Sequence, residues 1–441
     1  RGGGGDGGGG GCCWWAGCDP AYSADVTILR ALLRSPHRVT NPADADYFYV
    51  PLLLSLGMRT HRYGIYMPSS HAARLVSAAL EYVRGVWPFW NASGGRDHIF
   101  TFTGDNGAVW MRARLPLLTE AVFITHWGDR CLPPNDCVRL AGWRAHWHKH
   151  DIVVPPLWRP RLLSASPWLS HEGTRAVLRA EKTFAYLLYF VGKVHRSARE
   201  GDSYSYGVRQ RLFALHANRS DFYLRARANA VEAEATAAEA KFCLAPHGTG
   251  FGMRQYDAIA LGCVPLIIRI PRAEDVQFGG FIEQPFEEVL DWREFALFVN
   301  RSELPSLPSI LASVSVQTHA RMRRAIACVW PRLFWLHAFG AHADAHLDAP
   351  LTNCDARCRA QLAALGPSDA FGTLMMLLRN RLPRNGSRAA AAAPVTAAGT
   401  AVGAAVGAAG GVETFAGADA SWMTNAASCV QALRAGESDK S

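Results

Sequence analysis

Outside an Ala/Gly-rich tail this 441-residue chain has no run of about 18 apolar residues, so nothing there reads as a membrane-spanning helix. Blocks of like charge are also missing. The 46 Lys and Arg and the 37 Asp and Glu residues are scattered, and a net charge of +9 without a basic stripe gives no reason to expect nucleic acid. Anionic nucleotide-sugars or acidic glycans suit that charge equally well. The 11 cysteines form no zinc pattern, because Cys12-Cys13, Cys131 with Cys137 and Cys354 with Cys358 lack the partner pairs of a tetrahedral site. The glycine-rich internal loop departs from the G-x-G-x-x-G spacing, which sets aside a dinucleotide oxidoreductase. No Asp-x-Asp pair stands near that loop to hold a metal ion.

What is present is a globular composition, 49% hydrophobic and 19% charged, with length enough for two domains and tails. The chain is organised around FCLAPHGTGFGMRQYDAIALGCVPLII, residues 242–268. Phe242 to Ala245 is a short apolar run closed by Pro246, and three glycines follow within six residues. Met253 to Leu261 carries apolar residues at helical spacing, Gly262 ends that helix, and Val264 to Ile268 is a second strand. A parallel βαβ unit fits this order. Gly248, Gly250 and Gly252 leave backbone amides open ahead of a helix N-terminus, an arrangement that favours phosphate. Arg254 opens the helix and can neutralise a phosphate, while Asp257, one turn later, can accept hydrogen bonds from a ribose. The same residues would also serve a plain turn and a surface ion pair.

In order, FCL, Pro246-His247-Gly248, Arg254, Asp257-Ala258, GCVPLII and PFEEVLDW at 285–292 resemble the exostosin-like glycosyltransferases, the nucleotide-sugar enzymes of cell-surface and wall polysaccharides. The chain departs from that pattern at Asp257, where Glu is commoner, at Gly252-Met253, which replaces a usual Ser, and at Ile270-Pro271, which replaces a polar pair. The resemblance extends to the N-terminal half, in a Tyr-containing turn near Tyr22, a helix from about Ser23 to Leu33, and the run Asn41-Pro42-Ala43-Asp44-Ala45-Asp46 before a strand from Tyr47 to Leu54.

The resemblance implies an α/β protein of GT-B architecture, two Rossmann-like doubly wound domains facing across a cleft. It assigns residues 18–165 to an acceptor-side domain and 166–345 to a nucleotide-sugar domain. Residues 1–17 read as a Gly-rich linker, 346–387 as a helical segment and 388–441 as a low-complexity tail without stable structure. The implied reaction is an inverting transfer from a UDP-sugar to a polysaccharide or glycoprotein glycan, by a luminal domain of a Golgi membrane protein whose anchor this chain lacks. The other reading is an inert homologue that binds glycans or scaffolds other Golgi glycosyltransferases. Gly248, Gly250 and Arg254 are expected near the diphosphate, Asp257 on the ribose, and Lys193 and Arg209 as further cations. No cofactor or metal is expected. Asp105, in a turn at the C-terminal end of the strand His98 to Thr103, is the expected base, with Asp97 and Asp151 next in line.

Further strands are expected at Ala121 to His126, Ile152 to Val154, Tyr186 to Val191, Asp221 to Arg225 and Phe295 to Val299, with helices at His71 to Val86, Arg175 to Glu181, Val231 to Ala240, Glu303 to Leu311 and Gln317 to His337. His146, His148 and His150 alternate; on a strand they would share one side, as in some metal sites, but with no acidic or Cys ligand at suitable spacing they read as solvated or acceptor-facing. Cys131 and Cys137 flank a turn that would let them pair, whereas Cys243 and Cys263 read as buried thiols. Sequons at Asn91, Asn218, Asn300 and Asn385 agree with a secretory lumen.

Overall fold

The computed structural model describes residues 20–54, 69–130 apart from 105, 106, 109, 110 and 112–114, 146–194 apart from 160, 161, 163, 164, 180 and 181, 204–269 apart from 249, 281–336, 368–382 and 404–406. Two mainly parallel sheets form the two halves of the molecule. In the first, β2 (Tyr47–Val50), β3 (His98–Phe102), β4 (Val122–Thr125) and β6 (Ile152–Val153) lie side by side in chain order. Strand β1 (Arg38–Val39) is joined to them antiparallel through β13 (Ala404–Val406), which comes from the tail expected to lack structure.

Parallel strands are covered on both faces, and HIFTF and VFIT are buried at every position. Alternation sorts the side chains. Val50, Phe100, Phe102 and Phe123 pack with Ala72, Val76 and Leu80 of helix α2 (Ser69–Val86). Tyr47, Tyr49, Ile99 and Ile124 join Ile28 and Leu32 of α1 (Ala24–Arg34) in the main core. A short helix α3 (Phe89–Ser93) turns the chain from α2 into β3.

The second sheet has the order β12-β10-β9-β7-β8, all parallel, with β7 (Tyr186–Val191), β8 (Phe222–Arg225), β9 (Ala240–Ala245), β10 (Val264–Arg269) and β12 (Leu297–Asn300). Helix α4 (His171–Leu178) leads into β7, and α5 (Val208–His216) carries the chain from β7 outward to β8. Helix α6 (Ala230–Ala238) then returns it past β7 to β9, and α7 (Arg254–Ala260) continues to β10. Winding therefore reverses between β7 and β9. This is the alternating α/β pattern expected from the sequence, and the central stretch is the βαβ unit β9-α7-β10.

Helix α4 begins at His171 and ends at Leu178, ahead of the expected Arg175 to Glu181, and two other helix ends differ from expectation at proline. The 303–311 stretch begins as a 3-10 turn (Arg301–Ser306) before α8 (Leu307–Ser313), with Pro308 in the first α-helical turn. Helix α9 (Val316–Val329) stops where Pro331 removes a donor, and a 3-10 turn follows. Cys243 and Cys263, expected as buried thiols, form a disulfide. Register explains it: Val264 pairs with Phe242, so Cys263 sits diagonal to Cys243 with Cα atoms 5.9 Å apart, inside the reach of an S–S bond. Cys131 and Cys137 lie outside the described residues.

Contacts from several parts of the chain join the halves. An antiparallel ribbon pairs β5 (Gly128–Arg130) of the first with β11 (Phe281–Glu283) of the second. A Cβ on Gly128 would stand 2.1 Å from the Glu283 carbonyl oxygen, so only glycine fits there. In the Pro- and Trp-rich connector, Trp168 Nε1 donates to the Ile259 carbonyl at 2.6 Å and Trp158 packs on Trp330 and Phe334. Trp335 Nε1 donates back to Pro155 at 2.7 Å. The last helix, α10 (Ala370–Asn380), returns to the first sheet, where Tyr47 donates to the Leu378 carbonyl at 3.2 Å.

Candidate functional site

In open α/β sheets the carboxyl ends of the strands that flank a winding reversal open into the ligand crevice. Here those strands are β7 and β9, and their following loops carry Gly192-Lys193 and residues 246–253. Arg209 of α5 ties the two loops together. Its Nη1 donates to the Lys193 carbonyl at 3.1 Å and its Nη2 to the His247 carbonyl at 3.0 Å, with the residue only 6% exposed. It was expected as a further cation of the nucleotide-sugar site, and in the structure its Nη1 and Nη2 donate to main chain. Lys193 itself is exposed at the crevice rim.

Arg254 leaves the first turn of α7 and lies across Gly192, where an added Cβ would come within 3.5 Å of its Nη2 and 2.8 Å of the Phe190 ring. Its Nη1 meets Asp257 Oδ2 at 3.2 Å, and Arg159 from the connector approaches the same oxygen at 3.5 Å. Asp257 Oδ1 is buried and has no hydrogen-bond partner among the described residues. Arg159, Arg254 and Asp257, with Tyr189 and Glu234, line a cavity of about 40 Å³. That is room for a water or so and not for a nucleotide, so a nucleotide here would lie over the ion pair and not inside the notch.

The three loop glycines divide by role. A Cβ on Gly252 would crowd the Pro246 carbonyl at 3.1 Å, so this residue serves close packing of the loop. A Cβ on Gly248 would make only ordinary contact with Phe251, and Gly250 is buried. Ser205 donates its amide to Gly248 O at 2.8 Å, and both Ser205 and Tyr206 hold left-handed backbone, φ +57° and +49°, a conformation non-glycine residues adopt at a cost.

Phe251 at the loop's tip reaches the first sheet. Its ring meets Tyr22 at 5.8 Å and His126 at 5.0 Å, while Trp127 meets His247 at 5.3 Å. Ala21, Trp127, Tyr206 and Phe251 form a small buried cluster of their own between the carboxyl ends of the two sheets. Burial holds His126 and His247 down to about 4 each, aided at His247 by the Arg209 charge. Sequence reading missed both histidines. The only signal was position, since His126 follows an apolar strand directly and His247 opens the glycine loop.

Asp105 lies outside the described residues. The two aspartates next in line stand at the amino ends of their strands. Asp97, before β3, accepts from Ser93 Oγ at 2.5 Å and contacts His98 Nδ1 at 2.6 Å. Asp151, before β6, is fully buried and accepts the amides of Phe123 and Trp147 at 3.0 and 2.7 Å. Both carboxylates are structural. One Asp-x-Asp does occur, Asp44-Ala45-Asp46, in the turn before β2 at the amino end of the first sheet, with Asp44 accepting from Asn41 at 3.0 Å. It is remote from the β7/β9 crevice.

The three alternating histidines do not share a solvated side. His146 is fully buried, with its Nε2 3.2 Å from Glu283, and His148 approaches the same carboxylate at 2.6 Å. His150 points to Asp151 and the Glu120 carbonyl. His146 and His148 help to fasten β11 to the first half, and against its own burial Glu283 is held below the usual carboxylate range by these two. Among the described residues, no three His, Cys, Asp or Glu side chains gather as metal ligands. Of the sequons, Asn91 and Asn218 are exposed, Asn300 is partly buried with its backbone N–H donating to Glu303 at 2.8 Å, and Asn385 lies outside the described residues.

Residues 12–314 match the family model described as the Exostosin GT47 domain. A "probable glucuronosyltransferase" of Oryza sativa subsp. japonica is 29% identical over 320 residues, a match covering 69% of this chain and 67% of the relative. A "probable beta-1,4-xylosyltransferase" of Arabidopsis thaliana is 27% identical over 315 residues, covering 69% of this chain and 68% of the relative. A "probable glucuronoxylan glucuronosyltransferase" of the same plant is 28% identical over 314 residues, covering 69% and 60%.

Proposed function

Because the chain belongs to the exostosin GT47 family, we propose that it is a glycosyltransferase moving a sugar from a UDP-sugar to a polysaccharide acceptor with inversion at the anomeric carbon, in the Golgi lumen. The observation that carries this reading is the meeting of Arg254, Asp257 and the glycine loop at the β7/β9 crevice, with Asp257 Oδ1 left unpartnered beside it. The diphosphate lies over Arg254 and the loop at 246–253, and Asp257 accepts from a ribose hydroxyl. As the bond to the anomeric carbon breaks, negative charge grows on the leaving diphosphate, and the Arg254 guanidinium offsets it with Lys193 as a second cation. The names of the plant relatives favour a glucuronosyl or xylosyl donor. The exposed Asn91 and Asn218 sequons support the luminal assignment.

The test is a screen of UDP-sugars for binding and for transfer to xylan-type oligosaccharides by the purified chain. Saturable UDP binding with turnover of at least one donor is expected. Absence of UDP binding would overturn the reading, and UDP binding with no turnover of any donor would instead mark a glycan-binding or scaffolding subunit.

A further inference from the structure

We infer that His126 is the general base of the proposed transfer, an assignment that rests on the glycosyltransferase reading above. His126 follows β4 at its carboxyl edge, the edge that faces the glycine loop, and its ring lies 5.0 Å from Phe251 of that loop. The residue is 3% exposed. Its Nδ1 is 2.8 Å from the Val154 carbonyl, which can only accept, so Nδ1 carries the proton and Nε2 carries the lone pair. That Nε2 is buried without a hydrogen-bond partner among the described residues. Buried polar atoms are nearly always paired, so an acceptor nitrogen left bare between the halves of the molecule marks a place where a hydroxyl belongs.

The surroundings agree. Burial keeps the imidazole neutral, with its pKa at about 4, so it is in the basic form at neutral pH. The opposite wall holds a second buried histidine, His247, whose Nδ1 also has no hydrogen-bond partner among the described residues. This part of the seam is closed by the small Trp127-Tyr206-Phe251 cluster and not by the main core, so substrate entry requires Phe251 to yield. The Asp97 and Asp151 carboxylates are at the other end of the sheet.

In the step itself an acceptor hydroxyl gives its proton to His126 Nε2. Its oxygen then bonds to the anomeric carbon of the donor, and the bond from that carbon to the phosphate oxygen breaks, its electron pair leaving with UDP. The imidazolium afterwards releases its proton to water. The transfer of a proton from imidazole to Val154 is not required, and Val154 only fixes the tautomer.

The test uses His126→Asn, whose amide nitrogen can replace Nδ1 as the donor to Val154 while supplying no base, and His126→Gly assayed with added imidazole. His126→Asn is expected to melt within a few degrees of the parent and to bind UDP with parental affinity. Its sugar transfer should fall at least about 100-fold, the span general bases usually contribute. Imidazole should restore part of the transfer lost in His126→Gly. Parental transfer rates in His126→Asn would overturn the assignment, as would loss of transfer accompanied by loss of UDP binding in His126→Asn with no rescue of His126→Gly. If the parent turns over no donor at all, the glycosyltransferase reading falls and this assignment with it, an outcome distinct from an active parent with an active variant.

Discussion

Asp257 illustrates how far single residues were legible. Its place one turn after Arg254 follows from helical spacing, and the structure finds the two 3.2 Å apart. That Arg159 reaches the same carboxylate from the connector is invisible in sequence, because 98 residues of chain separate them and only the fold closes the gap. Arg209 shows the opposite case. Its cationic type suggested a ligand contact, but the loops need donors for two stranded carbonyls, and a buried guanidinium meets that need. For Asp257→Asn, UDP affinity is expected to drop by a factor equivalent to about 1.5–3 kcal/mol, the worth of hydrogen bonds to a charged group. Calorimetry with UDP measures it, and parental affinity in a folded variant would remove Asp257 from the nucleotide site. At the sequons, glycan is expected on Asn91 and Asn218 in protein from a secretory host, and less on Asn300, which is half-buried. Peptide mapping by mass spectrometry after N-glycosidase treatment decides it, and unmodified Asn91 and Asn218 would count against a luminal location.

Several elements with a clear period were read within a residue or two, while the strand from Tyr47 stops at Val50 and the helix expected from Arg175 starts at His171. Tyr186–Val191 is matched at both ends, because an apolar run bounded by turn residues leaves no choice of register. Pairings between distant elements were not legible. The β5/β11 ribbon joins residues 128–130 to 281–283, and neither segment is long or periodic enough to announce a strand. The disulfide is a third case: a parallel register had to be known before Cys243 and Cys263 became neighbours. It closes a loop with a sequence separation of 20 around α7, the helix that carries Arg254 and Asp257. Replacing both cysteines by alanine is therefore expected to lower stability by about 3 kcal/mol on the chain-entropy account of such loops. It should also loosen the crevice. Denaturant unfolding of the double variant, with UDP affinity measured alongside, checks both, and unchanged values would show that strand pairing alone holds the unit.

For the molecule as a whole, two α/β halves built on parallel sheets were foreseen through the family resemblance, with strand and helix signals alternating along the chain. What closes the halves on each other was not, since it consists of aromatic rings, one ribbon and a returning helix drawn from across the chain. Acid sensitivity follows from the buried histidines. Burial holds His126 and His247 down to about 4 and His319 to about 3, all below the ordinary imidazole value. In the unfolded chain they take protons as pH falls through about 6.5, while in the folded chain they stay neutral, so the stability they contribute is present above that value and is lost as pH drops toward their folded values. By about pH 5 each accounts for about 2 kcal/mol of lost stability. The urea midpoint should therefore fall steeply between neutral pH and about pH 5, and a flat profile would contradict the burial of these rings.

The account stands or falls on the donor site at the winding reversal of the second sheet. Guanidinium charge from Arg254, placed across Gly192 beside the glycine loop, is assigned the work that a divalent ion performs where paired carboxylates hold one. The direct measurement is a calorimetric titration of UDP, with EDTA present, into the parent protein and into Arg254→Ala. The account predicts saturable binding by the parent in EDTA and a loss of at least about 10-fold in affinity for Arg254→Ala, the least a charge-assisted phosphate contact would give. A parent that binds UDP only after Mn²⁺ is restored, or an Arg254→Ala protein that binds as tightly as the parent, would contradict it.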